Sequence, residues 1–322
     1  MVFLFSHSPC FSVSLPSLRS DRPTLCRCQL FPFLSGCKKE SIPVVRKLSI
    51  INVVASQVSA KTNSSTLGSS ASLKKSLQPT FILQGDTLQV SWFQRIVTTG
   101  TLCILVMLIL QNIQDTIQIL SSHELTSLLL TLFFALQLVA MDIGCLFMGY
   151  IAADFFSGLY HWFLDNYGNA KTPIIGKQCV AFQGHHEHPW TITYRPFCNL
   201  LGTSCLISCP FFLLLLVMPL PHFIQTILTS FGFFVVFAQQ THQWAHQTKP
   251  PSPWIETLQQ MGVLLSIKAH GKHHKPPFNK NYCIVSGICN EFLDRVQFYG
   301  KLEYWLYSQF RWIPNHLQSK EQ

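Results

Sequence analysis

Residues 96–114 read IVTTGTLCILVMLILQNIQ, nineteen positions without a charge that follow directly on Arg95. A helix of about twenty such residues, rising about 1.5 Å per residue, crosses the hydrocarbon core of a bilayer. Similar stretches recur downstream. A second runs from Leu125 to Tyr150 and is interrupted by Asp142 and Gly144. It reads as one helix ending near Met141 and another starting after it. A third, Leu200 to Val217, leads through FFLLLLVM to the breakers Pro219 and Pro221. A fourth, Phe223 to Phe237, runs straight into QQTHQWAH. The block from Thr257 to Ala269 is less apolar and reads as interfacial or packed on the protein. Hydrophobic residues make up 48% of the chain and charged ones 11%, high and low respectively for a soluble domain. Soluble core helices explain such runs poorly. The expectation is an all-α integral membrane protein with about four spanning helices.

The formal charge of +9 is unevenly spread. Residues 1–80 hold ten Lys/Arg against two acids, Asp21 and Glu40, leaving a nearly neutral body. No basic patch interleaved with aromatics remains there, which argues against a nucleic-acid partner. The first eighty residues are Ser-rich, acid-poor and punctuated by Arg19, Arg22, Arg27 and Arg46, as organelle transit segments are. SQVSAKTNSSTLGSSASLKKS adds a stretch without apolar periodicity. We therefore expect a plastid transit peptide and disordered linker over 1–80, a membrane domain over 81–322, and a multi-pass location in a chloroplast membrane. Twelve cysteines include no C-x-x-C pair, so zinc and disulfide readings lack support.

Eight of the thirteen histidines fall in four places. They are His161, the pair His185-His186, His242 and His246 in H-x-x-x-H, and His270, His273 and His274 in H-x-x-H-H. Spacings of three and four share one helix face, so each group can point at one site. Imidazole suits iron, zinc and copper. Eight nitrogens exceed one tetrahedral zinc and suit two metal ions. Zinc proteases place a Glu after the first His of such a pair. Gln243 stands there instead. Asp154 and Asp165 flank His161 at helical spacing and can ligate or orient an imidazole through its second N–H. His188 is a further candidate for either role. His7, His123, His222 and His316 belong to no group and read as ordinary residues. The groups lie at the ends of apolar runs, whereas a transport pathway would place ionisable groups in mid-membrane.

ADFFSGLYHWFLDNYG (153–168), TPIIGKQCVAFQGHHEHPWTIT (172–193), THQWAH (241–246) and HGKHHKPPFNKNYCIVSGICN (270–290) together resemble the Kua family of lipid desaturases. That family includes plasmanylethanolamine desaturase and the plant plastid fatty acid desaturase 4 group. The resemblance covers roughly residues 90–310, and the N-terminus, FQGHHEHPWTIT and NYCIVSG are most like the plastid group. It implies a histidine-rich diiron site at the water-facing helix ends, with His161, His185, His186, His242, His246, His270, His273 and His274 as ligands to two iron ions. Asp154 and Asp165 match family positions too. The implied reaction is O2-dependent desaturation of a lipid-linked acyl chain, a trans double bond at carbon 3 of palmitate at sn-2 of phosphatidylglycerol. Electrons would come from a separate donor, ferredoxin in a plastid. A hydroxylase, an ether-lipid desaturase, a metal transporter and a catalytically idle localisation module are the alternatives.

Overall fold

Nine α-helices and two short 3-10 turns make up the described part of the chain, residues 86–122 and 127–318 of the computed structural model. The helices are α1 (Trp92–Ser122), α2 (Leu128–Asn166), α3 (Gly176–His185), α4 (Phe197–Val217), α5 (His222–Ala245), α6 (Pro253–Gln260), α7 (Ile267–His273), α8 (Asn290–Arg295) and α9 (Phe298–Phe310). The 3-10 turns cover Pro189–Tyr194 and Asn315–Leu317, and no strand occurs among the described residues. Four helices, α1, α2, α4 and α5, are long and apolar enough to span a membrane, the number expected from the uncharged runs. The transit peptide and linker expected over 1–80, with His7 and His123, lie outside the described residues.

The expected break near Met141 does not occur. α2 continues for 39 residues through Asp142 and Gly144, about 58 Å at the standard rise. Asp142 does not end the helix because its carboxylate is satisfied from other helices. His222 Nε2 lies 2.8 Å from Oδ1, and the Thr116 hydroxyl donates to Oδ2 at 2.8 Å. His222, which the sequence left without a role, thus ties α5 to α2 and, through Thr116, to α1.

The spanning helices are turned inside out relative to a soluble protein. Leu128, Leu129, Leu132, Phe133, Leu136 and Ile143 of α2 are all exposed, as a lipid-facing surface allows. Lipid tails are as apolar as leucine, so packing and hydrogen bonds bring such helices together. Thr101 donates to the Cys205 carbonyl (3.2 Å), Asn112 to Thr229 (3.2 Å), Thr226 back to Asn112 (2.8 Å) and Ser230 to the Leu146 carbonyl (2.7 Å). Where α2 crosses α5, Gly149 allows near backbone contact: a Cβ there would stand 2.7 Å from Ser230 Cβ and 2.8 Å from the Phe231 nitrogen. Gly149→Val should therefore push the two helices apart and cost about 1–3 kcal/mol, read as a lower midpoint for thermal denaturation in detergent.

At the C-terminal ends of α2 and α5 the short helices form a cap. α9 packs on α2 through a cluster of Trp162, Tyr282, Cys283, Leu293 and Tyr299. The loop after α7 is fastened to α2 by Asp154, whose buried carboxylate accepts the backbone N–H groups of Ser286 (2.8 Å), Gly287 (2.9 Å) and Cys289 (3.0 Å). Thr241 of α5 donates to the Ile284 carbonyl in the same loop. Sequentially remote segments are thereby held around one point.

Candidate metal centre

Nine side chains converge in that cap, in two groups. His185, His242, His246, His270 and His274 form one; His161, Asp165, His186 and His273 form the other. Within each group the donor atoms lie within 4.8 Å of one another. All eight histidines singled out from sequence are brought together, and Asp165 joins them. Asp154 stands apart, engaged by the loop. His188 also stands apart, with its ring edge-on to Trp190 at 5.3 Å between centroids.

The motifs do not each serve one site, as the spacing had suggested. His185 and His186 go to different groups, and H-x-x-H-H divides, with His270 and His274 in one and His273 in the other. Successive residues on a helix point about 100° apart, whereas positions four apart share a face. The pairs His242/His246 and His270/His274 accordingly stay together. Adjacent histidines bring the two groups side by side, and the rings of His161 and His242 lie 5.8 Å apart across the division.

The five-histidine group cannot be satisfied by hydrogen bonds alone. His246 Nε2 approaches His185 Nε2 at 2.8 Å, His270 Nε2 at 2.8 Å and His242 Nε2 at 3.1 Å. A ring nitrogen carries one lone pair or one proton, so it can complete only one of these contacts. Full protonation would pack cations together without water. Burial first, and neighbouring imidazoles second, hold His185 and His270 well below the usual histidine range, with His246 pushed down to about 3 and His274 to about 2. Neutral rings with converging lone pairs are what a metal ion requires.

The four-donor group makes the same case more sharply. His161 Nδ1–H donates to the Tyr282 carbonyl and His273 Nδ1–H to the Lys280 carbonyl, both at 2.9 Å. These bonds fix the tautomer, leaving each Nε2 with its lone pair turned inward. Both Nε2 atoms are buried without a hydrogen-bond partner, and each lies 3.4 Å from Asp165 Oδ2. His186 Nε2 is 3.1 Å from the same oxygen. Acceptor faces acceptor, an arrangement a cation would resolve. Three imidazoles and a carboxylate suit iron or zinc better than the oxygen-seeking magnesium or calcium.

The apparent protease motif is otherwise employed. The Gln243 amide donates to the carbonyls of Ile192 and Arg195 (both 2.8 Å) and its oxygen accepts from Gln240 (2.7 Å). All eight described cysteines are free thiols, and none belongs to either group.

Residues 150–316 match the lipid desaturase domain. The chain belongs to that family. The matched segment runs from mid-α2 to the last 3-10 turn and contains every member of both groups. Among curated relatives, the chain is 46% identical over 170 residues to fatty acid desaturase 4, chloroplastic, of Arabidopsis thaliana, covering 51% of each chain. It is 44% identical over 176 residues to the Arabidopsis fatty acid desaturase 4-like 1, chloroplastic (52% of this chain, 58% of the relative). It is 34% identical over 166 residues to plasmanylethanolamine desaturase of Myxococcus xanthus (50% and 59%). The alignments thus span only about half to three-fifths of these relatives. No solved structure matches.

As a lipid desaturase domain, the cap holds parts that sequence reading had missed. The carbonyls of Lys280 and Tyr282 orient two imidazoles, yet a carbonyl leaves no trace in residue type. Phe182 lies edge-on to His161 (5.1 Å) and 6.4 Å from His242, and Phe278 lies 5.0 Å from His186. These two rings form apolar walls beside the donors.

Proposed function

We propose that this protein is a membrane diiron desaturase acting on a lipid-linked acyl chain in a chloroplast membrane. Its proposed reaction introduces a trans double bond at carbon 3 of palmitate at sn-2 of phosphatidylglycerol. The observation that carries the reading is the pair of adjacent donor groups, one of five histidines and one of three histidines and Asp165, at the ends of membrane-spanning helices. A fatty acyl substrate and the organelle are suggested by the plant relatives, whose names read fatty acid desaturase 4 and chloroplastic, and the organelle also by the acid-poor N-terminal stretch. Palmitate, its carbon 3 and phosphatidylglycerol are what the resemblance to the plastid group implies.

The reaction balances as –CH2–CH2– plus O2, two electrons and two protons giving –CH=CH– and two waters. Two iron ions, when bound, would supply the O2 reduction and the oxidising power to break an unactivated C–H bond. The chain's own tasks follow from the geometry. His161 and His273 present lone pairs that their carbonyl partners lock inward. Asp165 supplies negative charge to one site. Phe182 and Phe278 offer an apolar surface on which a methylene can be held. The sequence carries no flavin or haem motif, so an external one-electron carrier, ferredoxin in a plastid, is assigned as donor.

The test is expression of the full chain in a plant that lacks trans-3-hexadecenoate, with phosphatidylglycerol acyl chains profiled by gas chromatography. We expect the acid to appear with the wild-type chain and to be absent with His273→Ala at equal membrane abundance. Full activity of that variant would sink the metal assignment. Iron-loaded wild-type protein without the acid would place the substrate elsewhere.

A further inference from the structure

We propose that His316 and Glu303 are positioning residues for the four-donor group, gripping the last turn of α2 so that His161 and Asp165 aim at one point. This inference rests on the metal reading above and adds to it a role for two side chains outside both groups. The end of α2 carries two of the four donors, Asp165 in its last turn and His161 one turn earlier, and the carbonyls of a last helical turn lack partners within the helix. Here Gln183 Nε2 donates to the Leu164 carbonyl at 2.8 Å, and Asn315 Nδ2, 150 residues beyond Asp165, donates to the Asp165 carbonyl at 2.9 Å. Just before these, the Trp162 carbonyl accepts from Asn166 Nδ2 at 2.9 Å.

Asn166 is the node of the assembly. Besides the Trp162 carbonyl, its amide nitrogen donates to the Tyr282 hydroxyl at 3.0 Å, and that hydroxyl donates to the Phe278 carbonyl at 2.8 Å. Its Oδ1 lies 2.7 Å from His316 Nδ1. An amide oxygen can only accept, so the Nδ1–H of His316 donates there. Tyr282 is also the residue whose carbonyl orients His161. One side chain therefore links the C-terminal 3-10 turn to both the helix bearing His161 and the loop orienting its ring.

Glu303 of α9 grips the same helix end directly. Its Oε1 accepts the Trp162 indole N–H at 2.9 Å, and its Oε2 lies 3.7 Å from His316 Nε2, which is an ion pair only with the ring doubly protonated. Both side chains are largely buried, at 12% and 13% exposure, so water cannot readily replace these contacts if they are removed. Two of the four donors, His161 and Asp165, sit on α2, whereas in the other group His242 and His246 lie at the end of α5, His270 and His274 at α7, and His185 on α3. Loss of the grip should act on one group.

The test compares the full-length wild type with His316→Ala and His316→Asn, the second retaining an amide N–H near the Nδ1 position. Each is purified in lipid nanodiscs, loaded with iron(II), and examined for iron per chain, release to a chelator, Mössbauer spectrum and melting temperature. His186→Ala, which removes a donor of the four-donor group directly, identifies that group's signal. For His316→Ala we expect iron in that group to be held about 10-fold or more weakly, the other signal unchanged, melting close to wild type, and recovery in His316→Asn. Wild-type retention of both irons by His316→Ala would overturn the inference alone, as would loss of both irons together with the fold. A wild-type chain that binds no iron would overturn the metal reading and the inference with it.

Discussion

Asp165→Asn should abolish product and release one of two metal ions while the protein still inserts and accumulates. The substitution keeps size and shape, so the end of α2 can persist. The chemistry of the group changes in two ways. Asp165 is the only acid in either donor group, and its Oδ2 faces three imidazole Nε2 atoms at 3.1 to 3.4 Å. An amide removes the charge that would attract a cation. It also brings N–H donors to lone pairs that the Tyr282 and Lys280 carbonyls hold inward, so the metal-free site becomes self-satisfied. Partners that merely orient a ligand are worth about 10–100-fold in metal affinity or activity. A donor lost outright should exceed that, and we expect at least about a 100-fold fall in product. Acyl-chain profiling alongside metal content per chain reads both. Two metals per chain and activity within a few-fold of wild type would show that Asp165 is no ligand.

The contrast between Asp165 and Asp154 also marks where sequence reading ended. Both flank His161 at helical spacing, and nothing local distinguishes them. Their fates are decided by segments more than a hundred residues away: a loop delivers three N–H groups to Asp154, and His273 is brought up to Asp165. The spanning helices were legible because long uncharged runs have few alternatives in water. α2 was misread at Asp142 because the partners that satisfy that carboxylate, Thr116 and His222, lie 26 and 80 residues away in sequence. The histidine set was legible from residue type and clustering. Its division into five and three was only half legible: residues four apart share a face, but where His186 and His273 point depends on how α3 and α7 sit against α2. His316 carried no local signal at all, because its partners Asn166 and Glu303 are fixed by the fold.

Asp154→Asn should behave oppositely to Asp165→Asn, failing in the fold before it fails in the chemistry. Asp154 is fully buried, with Oδ1 accepting from Ser286 and Gly287 and Oδ2 from Cys289 at 2.8 to 3.0 Å. Gly287 has φ of +77°, a backbone shape suited to glycine. The loop is therefore formed around the carboxylate. An asparagine can accept at one end only, and its amide N–H groups would face a backbone N–H at the other. Hydrogen bonds to a buried charge contribute about 1.5–3 kcal/mol each, and a buried donor left unpaired costs a further ~1–3 kcal/mol. The expected destabilisation is about 3–5 kcal/mol, a large share of the about 5–15 kcal/mol typical of a folded domain. Melting in detergent and abundance in membranes should both fall. Metal should then be lost from both groups, because the same loop carries the Lys280 and Tyr282 carbonyls and is fastened to α5 at Ile284. A variant that melts like wild type but lacks a single metal would instead make Asp154 a donor, and the loop contacts incidental.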